Sequence, residues 1–450
     1  MYRKILDNLR KWRNSNNKKT LLLDGTRQVG KTWVIEEFGK EYKTFIEINL
    51  IDDARAKQFF EKSKSLEEIL DFIELNNMDK DFSDEKEVLI FLDEIQNIPN
   101  LISMLKFFTT KCKYDVIASG SLLGVSLKTN ISFPVGYVDH WTMHQLDFEE
   151  FLLAINLKEK YIETIKDCLN SLTPIPEAIH NKLLELFHIY MIIGGLPESV
   201  NRYIETGSLS ESIKVLRHLQ SDYINDIAVY ADHEIRLKAI SCYKSLPIQL
   251  AKENKKFQYK LVHSGYGAKH FDTSLNWLEM SGLIIKNTRL SKIEDPLEAY
   301  EELGIFKVYS FDTGLLLSNF DDAIISKALD NALGIYKGAL YENITNQILS
   351  MNGYKHFYFE PNTSSEIDFI TYYKGEITPI EVKAGLHTKS TSFNSFVDRY
   401  NCKYAFRFSQ KNIGKDANST MFMPYYLIPF IFTDYSPWQA LGVLTAKFSL

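Results

Sequence analysis

Three short apolar runs punctuate the first part of the chain: Leu21-Leu22-Leu23, Val88-Leu89-Ile90-Phe91-Leu92 and Val116-Ile117-Ala118. None alternates with polar residues, so each reads as a parallel strand buried on both faces. Apolar residues at helical spacing follow the first run in Trp33-Val34-Ile35-Glu36-Glu37-Phe38. An α/β layer with a parallel sheet is therefore expected over residues 1–145. From Leu146 to about Tyr230 the pattern turns helical, broken at Pro174-Ile175-Pro176 and Gly194-Gly195-Leu196-Pro197. Asp147, with Glu150 three positions on, predicts a capping box, and Leu146 with Phe151 a hydrophobic staple. An all-helical segment at 146–234 directly after the α/β layer predicts a helical lid.

Residues 235–320 read differently. Helical stretches end in Phe271-Asp272-Thr273-Ser274-Leu275-Asn276-Trp277-Leu278, Gly282 stops the helix, and strands at Leu283-Ile284-Ile285 and Phe306-Lys307-Val308-Tyr309 follow. Short helices followed by a β-ribbon predict a winged-helix unit. Lys269 and His270 give the candidate recognition helix little positive charge, so a protein partner stands beside DNA as its ligand. From about residue 335 a helix through Tyr341-Glu342-Asn343-Ile344 precedes strands at Glu366–Ile370 and Pro379–Lys383. With Lys374-Gly375 as a two-residue hairpin loop, Asp368 faces Glu381 and Glu366 faces Lys383, all on one side of the sheet.

The chemistry concentrates at the ends of these strands. Gly25-Thr26-Arg27-Gln28-Val29-Gly30-Lys31-Thr32 is a complete G-x-x-x-x-G-K-[ST] loop lying between a strand and a helix start. Its glycines let backbone N–H groups curl around an anion, and the helix N-terminus adds its unpaired donors. Lys31 is placed to reach the β- and γ-phosphates and the Thr32 hydroxyl to ligate Mg²⁺, so ATP and Mg²⁺ are the expected cofactors. Arg27 is either a phosphate contact or a solvent-facing loop residue. Asp93 and Glu94 close the second apolar run, at the carboxyl end where open α/β sheets bind ligands. Asp93 is expected to hold Mg²⁺ through water and Glu94 to orient or deprotonate the attacking water. Ser119 or Ser121, after the third run, is the candidate γ-phosphate sensor, the alternative being a Ser/Gly turn that caps a helix.

In the C-terminal hairpin, Cβ atoms of facing residues lie about 4.5–5.5 Å apart. Two facing carboxylates repel unless a cation sits between them. Asp368 and Glu381 therefore read as a divalent-metal pair, with Lys383 beside them to stabilise negative charge, against the alternative of a polar outer face on an edge hairpin.

At 450 residues, two to four domains are expected, and 45% hydrophobic residues supply their cores. A net charge of −6 argues against a chain coated in nucleic acid. The basic N-terminal stretch (Arg3, Lys4, Arg10, Lys11, Arg13, Lys18, Lys19) reads foremost as the solvated side of an amphipathic helix. The cysteines at 112, 168, 242 and 402 show no C-x-x-C pairing, which excludes a zinc ribbon and points to a reducing compartment. The longest apolar stretch, Met421 to Phe432, contains Pro424 and Pro429 and is too short to span a bilayer, so a cytoplasmic protein without membrane contact is expected.

Taken together, the phosphate loop, Leu92-Asp93-Glu94-Ile95-Gln96, Ser119-Gly120-Ser121, Gly194-Gly195-Leu196-Pro197 and Asp312 with Gly314-Leu315-Leu316 resemble a prokaryotic family of AAA-like P-loop ATPases. Its members end in a domain of unknown function that looks like the restriction-endonuclease fold. That resemblance implies a helix Glu, an Asp and then Glu-x-Lys, matched here by Glu342, Asp368, Glu381 and Lys383 over a region 335–450. Gly136-Tyr137 stands where relatives often have Gly-Arg, so no arginine role carries over there. The expected activity is Mg²⁺-dependent ATP hydrolysis by a switch or motor whose nuclease-like end contacts nucleic acid. The alternatives are an ATP-controlled scaffold for a protein partner with an inert nuclease-like end, and an ATP-gated nuclease.

Overall fold

The computed structural model describes residues 1–121, 134–252, 255–329, 334, 336–362, 365–385, 391–416 and 420–433. They form two compact units, Met1–Gln145 with Met280–Gly282, and Leu146–Glu279 with Leu283–Leu450.

The first unit is built on a five-stranded sheet in the order β2-β3-β4-β1-β5. The strands are β1 (Thr20–Asp24), β2 (Thr44–Asn49), β3 (Val88–Asp93), β4 (Asp115–Ser119) and β5 (Val138–Thr142), and every pairing is parallel. The apolar runs occupy the three central strands, which are buried along their whole length. Edge strands need only one dry face, and β2 accordingly alternates between buried and more exposed positions. Helices Ala54–Lys62, Leu66–Asn76 and Pro99–Lys111 close one core with Phe60, Ile69 and Leu105 against Ile46, Ile90 and Val116. The N-terminal helix Ile5–Arg13 buries Leu6, Leu9 and Trp12. Its basic residues meet acids of the same unit: Arg10 pairs with Asp7 and Glu41, Arg13 with Glu87, and Lys18, beyond the helix, with Asp115.

The second unit opens with six helices between Phe148 and Leu250. The capping box forms as expected: Asp147 accepts from the Glu150 N–H, and the Glu150 carboxylate accepts from the Asp147 N–H. Helices Tyr259–Val262 and Ala268–Met280 lead to β6 (Ile284–Leu290) and β7 (Glu301–Ser310). This antiparallel ribbon does not stand alone, because β6 also pairs in parallel with β8 (His356–Asn362). It thereby joins β9 (Ser365–Tyr373), β10 (Glu376–Val382), β11 (Phe406–Ser409), β12 (Gly414–Lys415) and β13 (Met421–Pro424) in one eight-stranded sheet, ordered β12-β13-β11-β10-β9-β8-β6-β7.

The β9–β10 hairpin turns at Lys374 and Gly375, with φ of 51° and 78°. Positive φ at both central residues is the turn whose twist suits a two-residue hairpin. The register runs from Glu376 opposite Tyr373 to Ile380 opposite Phe369, as the sequence spacing requires. Helix Thr391–Tyr400 covers this side with Phe393, Phe396 and Val397.

The Gly194-Gly195 and Asp312-Thr313-Gly314 segments clasp one another. Asp312 accepts from the Gly195 N–H and the Leu315 N–H, at 2.8 and 2.9 Å. A Cβ on Gly194 would lie 2.2 Å from the Asp312 Oδ1, and one on Gly314 would lie 2.3 Å from the Gly194 nitrogen. Neither glycine admits a side chain, so these motifs hold the second unit together.

Candidate functional site

The phosphate loop leaves β1 and enters helix Lys31–Gly39, with Gly25, Gln28 and Gly30 at φ of 149°, 63° and 94°. Gly25 is needed for a second reason: a Cβ there would lie 2.2 Å from the Met143 carbonyl oxygen. Thr26 and Val29 are buried, Arg27 is half-buried and Gln28 is exposed. Lys31 is buried, and its Nζ donates to the Gly25 and Thr26 carbonyls at 3.1 and 3.0 Å. Burial pulls its pKa down to about 8, against the attraction of Glu94, Asp93 and Asp24. Its ammonium thus rests on two neutral carbonyls inside a dry loop, where an incoming anion is strongly favoured.

The strand order explains why Thr32 and Asp93 meet. β4 separates β1 from β3, so their ends lie two strand spacings apart, about 10 Å. Side chains from both directions fill that interval. Thr32 donates to the Asp93 Oδ2 at 2.9 Å, and Ser119, at the end of β4, donates to the Oδ1. Ser119 is fully buried, and its hydroxyl orients Asp93. Ser121 is 1% exposed, and its Oγ has no hydrogen-bond partner among the described residues. Glu94 sits in a left-handed turn (φ 57°), half-buried, and its carboxylate accepts from Gln96.

Two supports escaped the sequence reading. Arg3, 4% exposed, donates to the Val29 carbonyl inside the loop at 2.8 Å and to the His144 carbonyl at 2.6 Å. Read with the basic stretch as solvated, Arg3 is buried instead, and nothing in that stretch signals that it will lie beneath a loop 26 residues away. Asp24, just before Gly25, meets His140 of β5 at 2.6 Å, while its buried Oδ1 has no partner among the described residues. The Asp24 hydrogen bond raises the His140 pKa.

The second unit assembles the other expected set. Asp368 accepts from the Val382 N–H at 2.8 Å, just beyond the hairpin ladder that ends with Ile380 opposite Phe369. Each neighbouring acid, however, meets a cation. Glu381 pairs with Lys383 at 2.9 Å and with the buried Arg407 at 2.6 Å. Glu342 meets Lys255, Lys307 at 3.8 Å and the Tyr309 hydroxyl at 3.1 Å. Lys307 also pairs with Glu366. Burial pushes the Glu342 carboxyl up, but Lys255 and Lys307 more than offset this and its pKa is lowered. Burial, then Glu342 and Glu366, push Asp368 up to about 7. Among the described residues no group of three or more His, Cys, Asp or Glu is arranged to hold a metal ion. Lys255, Lys307 and Arg407 lie outside the Glu…Asp…Glu-x-Lys pattern and were not singled out from sequence.

Residues 17–152 match the AAA domain family. The chain carries an AAA-like P-loop ATPase domain. Residues 184–322 match a domain of unknown function (DUF8612), and residues 337–428 match another (DUF4143). No curated protein matches the chain. Among solved structures it is similar to the Walker-type ATPase PABY2304 of Pyrococcus abyssi, at 13% identity and a TM-score of 0.41, covering 71% of this chain and 95% of that one. It is also similar to the Aeropyrum pernix ORC1 protein in complex with DNA (8% identity, TM-score 0.28, covering 73% and 90%). A third is CDC6P from Pyrobaculum aerophilum (13% identity, TM-score 0.27, covering 73% and 94%). An AAA-like domain implies nucleotide and Mg²⁺, and the first unit's residues fit both: a buried lysine on carbonyls, and a threonine hydroxyl against a buried aspartate. No described helix is long and apolar enough to cross a membrane.

Proposed function

We propose that this protein is an ATP-hydrolysing switch or motor whose chemistry resides in the first unit. The observation that carries this reading is Thr32 within 2.9 Å of Asp93, bridging the ends of β1 and β3 directly behind the buried Lys31. Lys31 and the loop N–H groups bind the β- and γ-phosphates, and Thr32 and Asp93 would hold Mg²⁺, which neutralises phosphate charge when bound. Glu94 accepts the proton of the attacking water, with Gln96 steadying its carboxylate. Ser121, whose hydroxyl has no partner among the described residues, suits the γ-phosphate sensor, and Ser119 works through Asp93. Beyond the AAA-like core at 1–145 we assign a helical lid to 146–234, a winged-helix-like part to 235–320 and a restriction-endonuclease-like part to 335–450, in a cytoplasmic protein.

Phosphate release with Mg²⁺, measured alone and with DNA or RNA, tests the proposal. Mg²⁺-dependent turnover that Glu94→Gln removes is the expected result, and a chain that neither binds nor hydrolyses ATP overturns it. A second reading, an ATP-controlled scaffold for a protein partner, is favoured by the ion pairing of Glu342 and Glu381, which leaves these acids engaged with cations from outside the nuclease-like pattern. Turnover indifferent to nucleic acid would support it, and stimulation by DNA or RNA would support nucleic-acid contact.

A further inference from the structure

The acidic centre of the second unit contains the residue types that a metal-dependent nuclease uses, yet their partners are wrong for a divalent ion. Mg²⁺ and Ca²⁺ bind carboxylate oxygens whose lone pairs are available, and complete their shells with carbonyls and water. Here Glu342 and Glu381 each already face two cationic side chains, and Glu366 faces one.

Lys307 is the centre of this arrangement. It projects from β7 and is 1% exposed. Its ammonium lies near Glu342 and Glu366 and over the Tyr358 ring at 4.8 Å, with Asp368 close enough to act on it electrostatically. A buried ammonium survives only where carboxylates surround it closely. Three carboxylates (Glu342, Glu366, Glu381) are paired with four cations (Lys255, Lys307, Lys383, Arg407), so the cluster carries no excess negative charge even when Asp368 is ionised. Adding a divalent ion would leave two excess positive charges in a mostly buried space, and the ion would have to displace the ammonium that separates Glu342 from Glu366.

We infer that Lys307 is this chain's built-in substitute for the divalent ion: its ammonium occupies the acidic centre of the C-terminal sheet, and this unit takes up no Mg²⁺ or Mn²⁺. The ribbon β6–β7 makes this possible. By extending the sheet beyond β8, it delivers a lysine from outside the nuclease-like pattern to Glu342 and Glu366. The inference is independent of ATP hydrolysis in the first unit, so failure of either leaves the other standing.

Mn²⁺ uptake by the full chain without nucleotide, counted by electron paramagnetic resonance of the free ion, tests it. Wild type and Asp368→Asn should take up Mn²⁺ equally. Lys307→Met, which removes the ammonium that Glu342, Glu366 and Asp368 share, should bind one additional Mn²⁺ per chain, and Lys307→Met/Asp368→Asn should lose it again. A wild-type ion that disappears in Asp368→Asn overturns the inference, as does a folded Lys307→Met that gains none. Should Lys307→Met not fold, the comparison of wild type with Asp368→Asn still decides.

Discussion

The two units place the same side chains, lysine and carboxylate, in opposite circumstances. In the first, Lys31 leans on the neutral carbonyls of Gly25 and Thr26, and Asp93 is held by hydroxyls and an N–H. Those partners are exchangeable, because a phosphate offers Lys31 more than a carbonyl does and a hydroxyl can turn from a carboxylate to a metal. In the second, Glu342, Glu366 and Glu381 meet lysines and an arginine directly. Opposite charges already matched in a dry interior resist exchange, since removing one partner strands the other. A charged cluster is available for ligand chemistry when its partners are neutral, and closed to it when its partners are counter-ions.

Substitutions can break this contrast, and the largest effect is expected at the loop-bearing site. Glu94→Gln should bind ATP normally while turnover falls about 10²–10⁴-fold, the usual worth of a general base. Unchanged phosphate release would move the base elsewhere. Lys31→Ala should weaken ATP binding by at least about a hundredfold, because it removes a full charge from a desolvated site. Titration with a fluorescent nucleotide measures this, and retained affinity would remove the first unit's claim to be the working one. Neither change should shift the melting of the second unit.

In the second unit the expected signature is the reverse. Asp312→Asn should lower stability by about 1–3 kcal/mol and leave ATP turnover intact, because an amide NH₂ must then face the N–H of either Gly195 or Leu315. Denaturant unfolding followed alongside phosphate release reads both quantities, and a loss of turnover without a loss of stability would join the clasp to the chemistry.

The smallest effect concerns Asp24 and His140. The folded-state pKa of His140 is raised, so the pair's contribution to stability is full below about pH 6.5 and fades as pH rises through the higher folded value. With His140 40% exposed, screening limits this to about 1 kcal/mol or less. His140→Phe should flatten the pH dependence of unfolding over that window, and an unaltered profile would show that the pair contributes nothing.

Much of the proposed nucleotide site was legible because its parts are local. A loop between an apolar strand and a helix, and acids at a strand end, are contiguous in sequence, and the backbone geometry follows from the glycines. The hairpin register was legible for the same reason, since a two-residue turn at Lys374-Gly375 aligns its strands from Glu376 opposite Tyr373 to Ile380 opposite Phe369. The helix Tyr336–Met351 was read less well. Its sequence marked a helix and no more, whereas Glu342, Asn343, Asn346 and Gln347 are buried along it. Asn343 bonds both the N–H and the carbonyl of Ser310, and Gln347 accepts from Thr313. Polar residues that will be matched across a fold look like solvent-facing ones until their partners are known.

The sequence by itself therefore determined the local geometry that a strand, a turn and a helix start can build from neighbouring residues: the phosphate loop, Asp93 and Glu94 at their strand end, and the hairpin turn of the C-terminal sheet. The tertiary structure decided which charges meet. Arg3 under the loop, Lys255 and Lys307 at Glu342, and Arg407 at Glu381 come from segments 26 to 141 positions away from the groups they touch. Whether a carboxylate is open to an ion depends on the charges within a few ångströms, and no local pattern specifies which distant side chains arrive there.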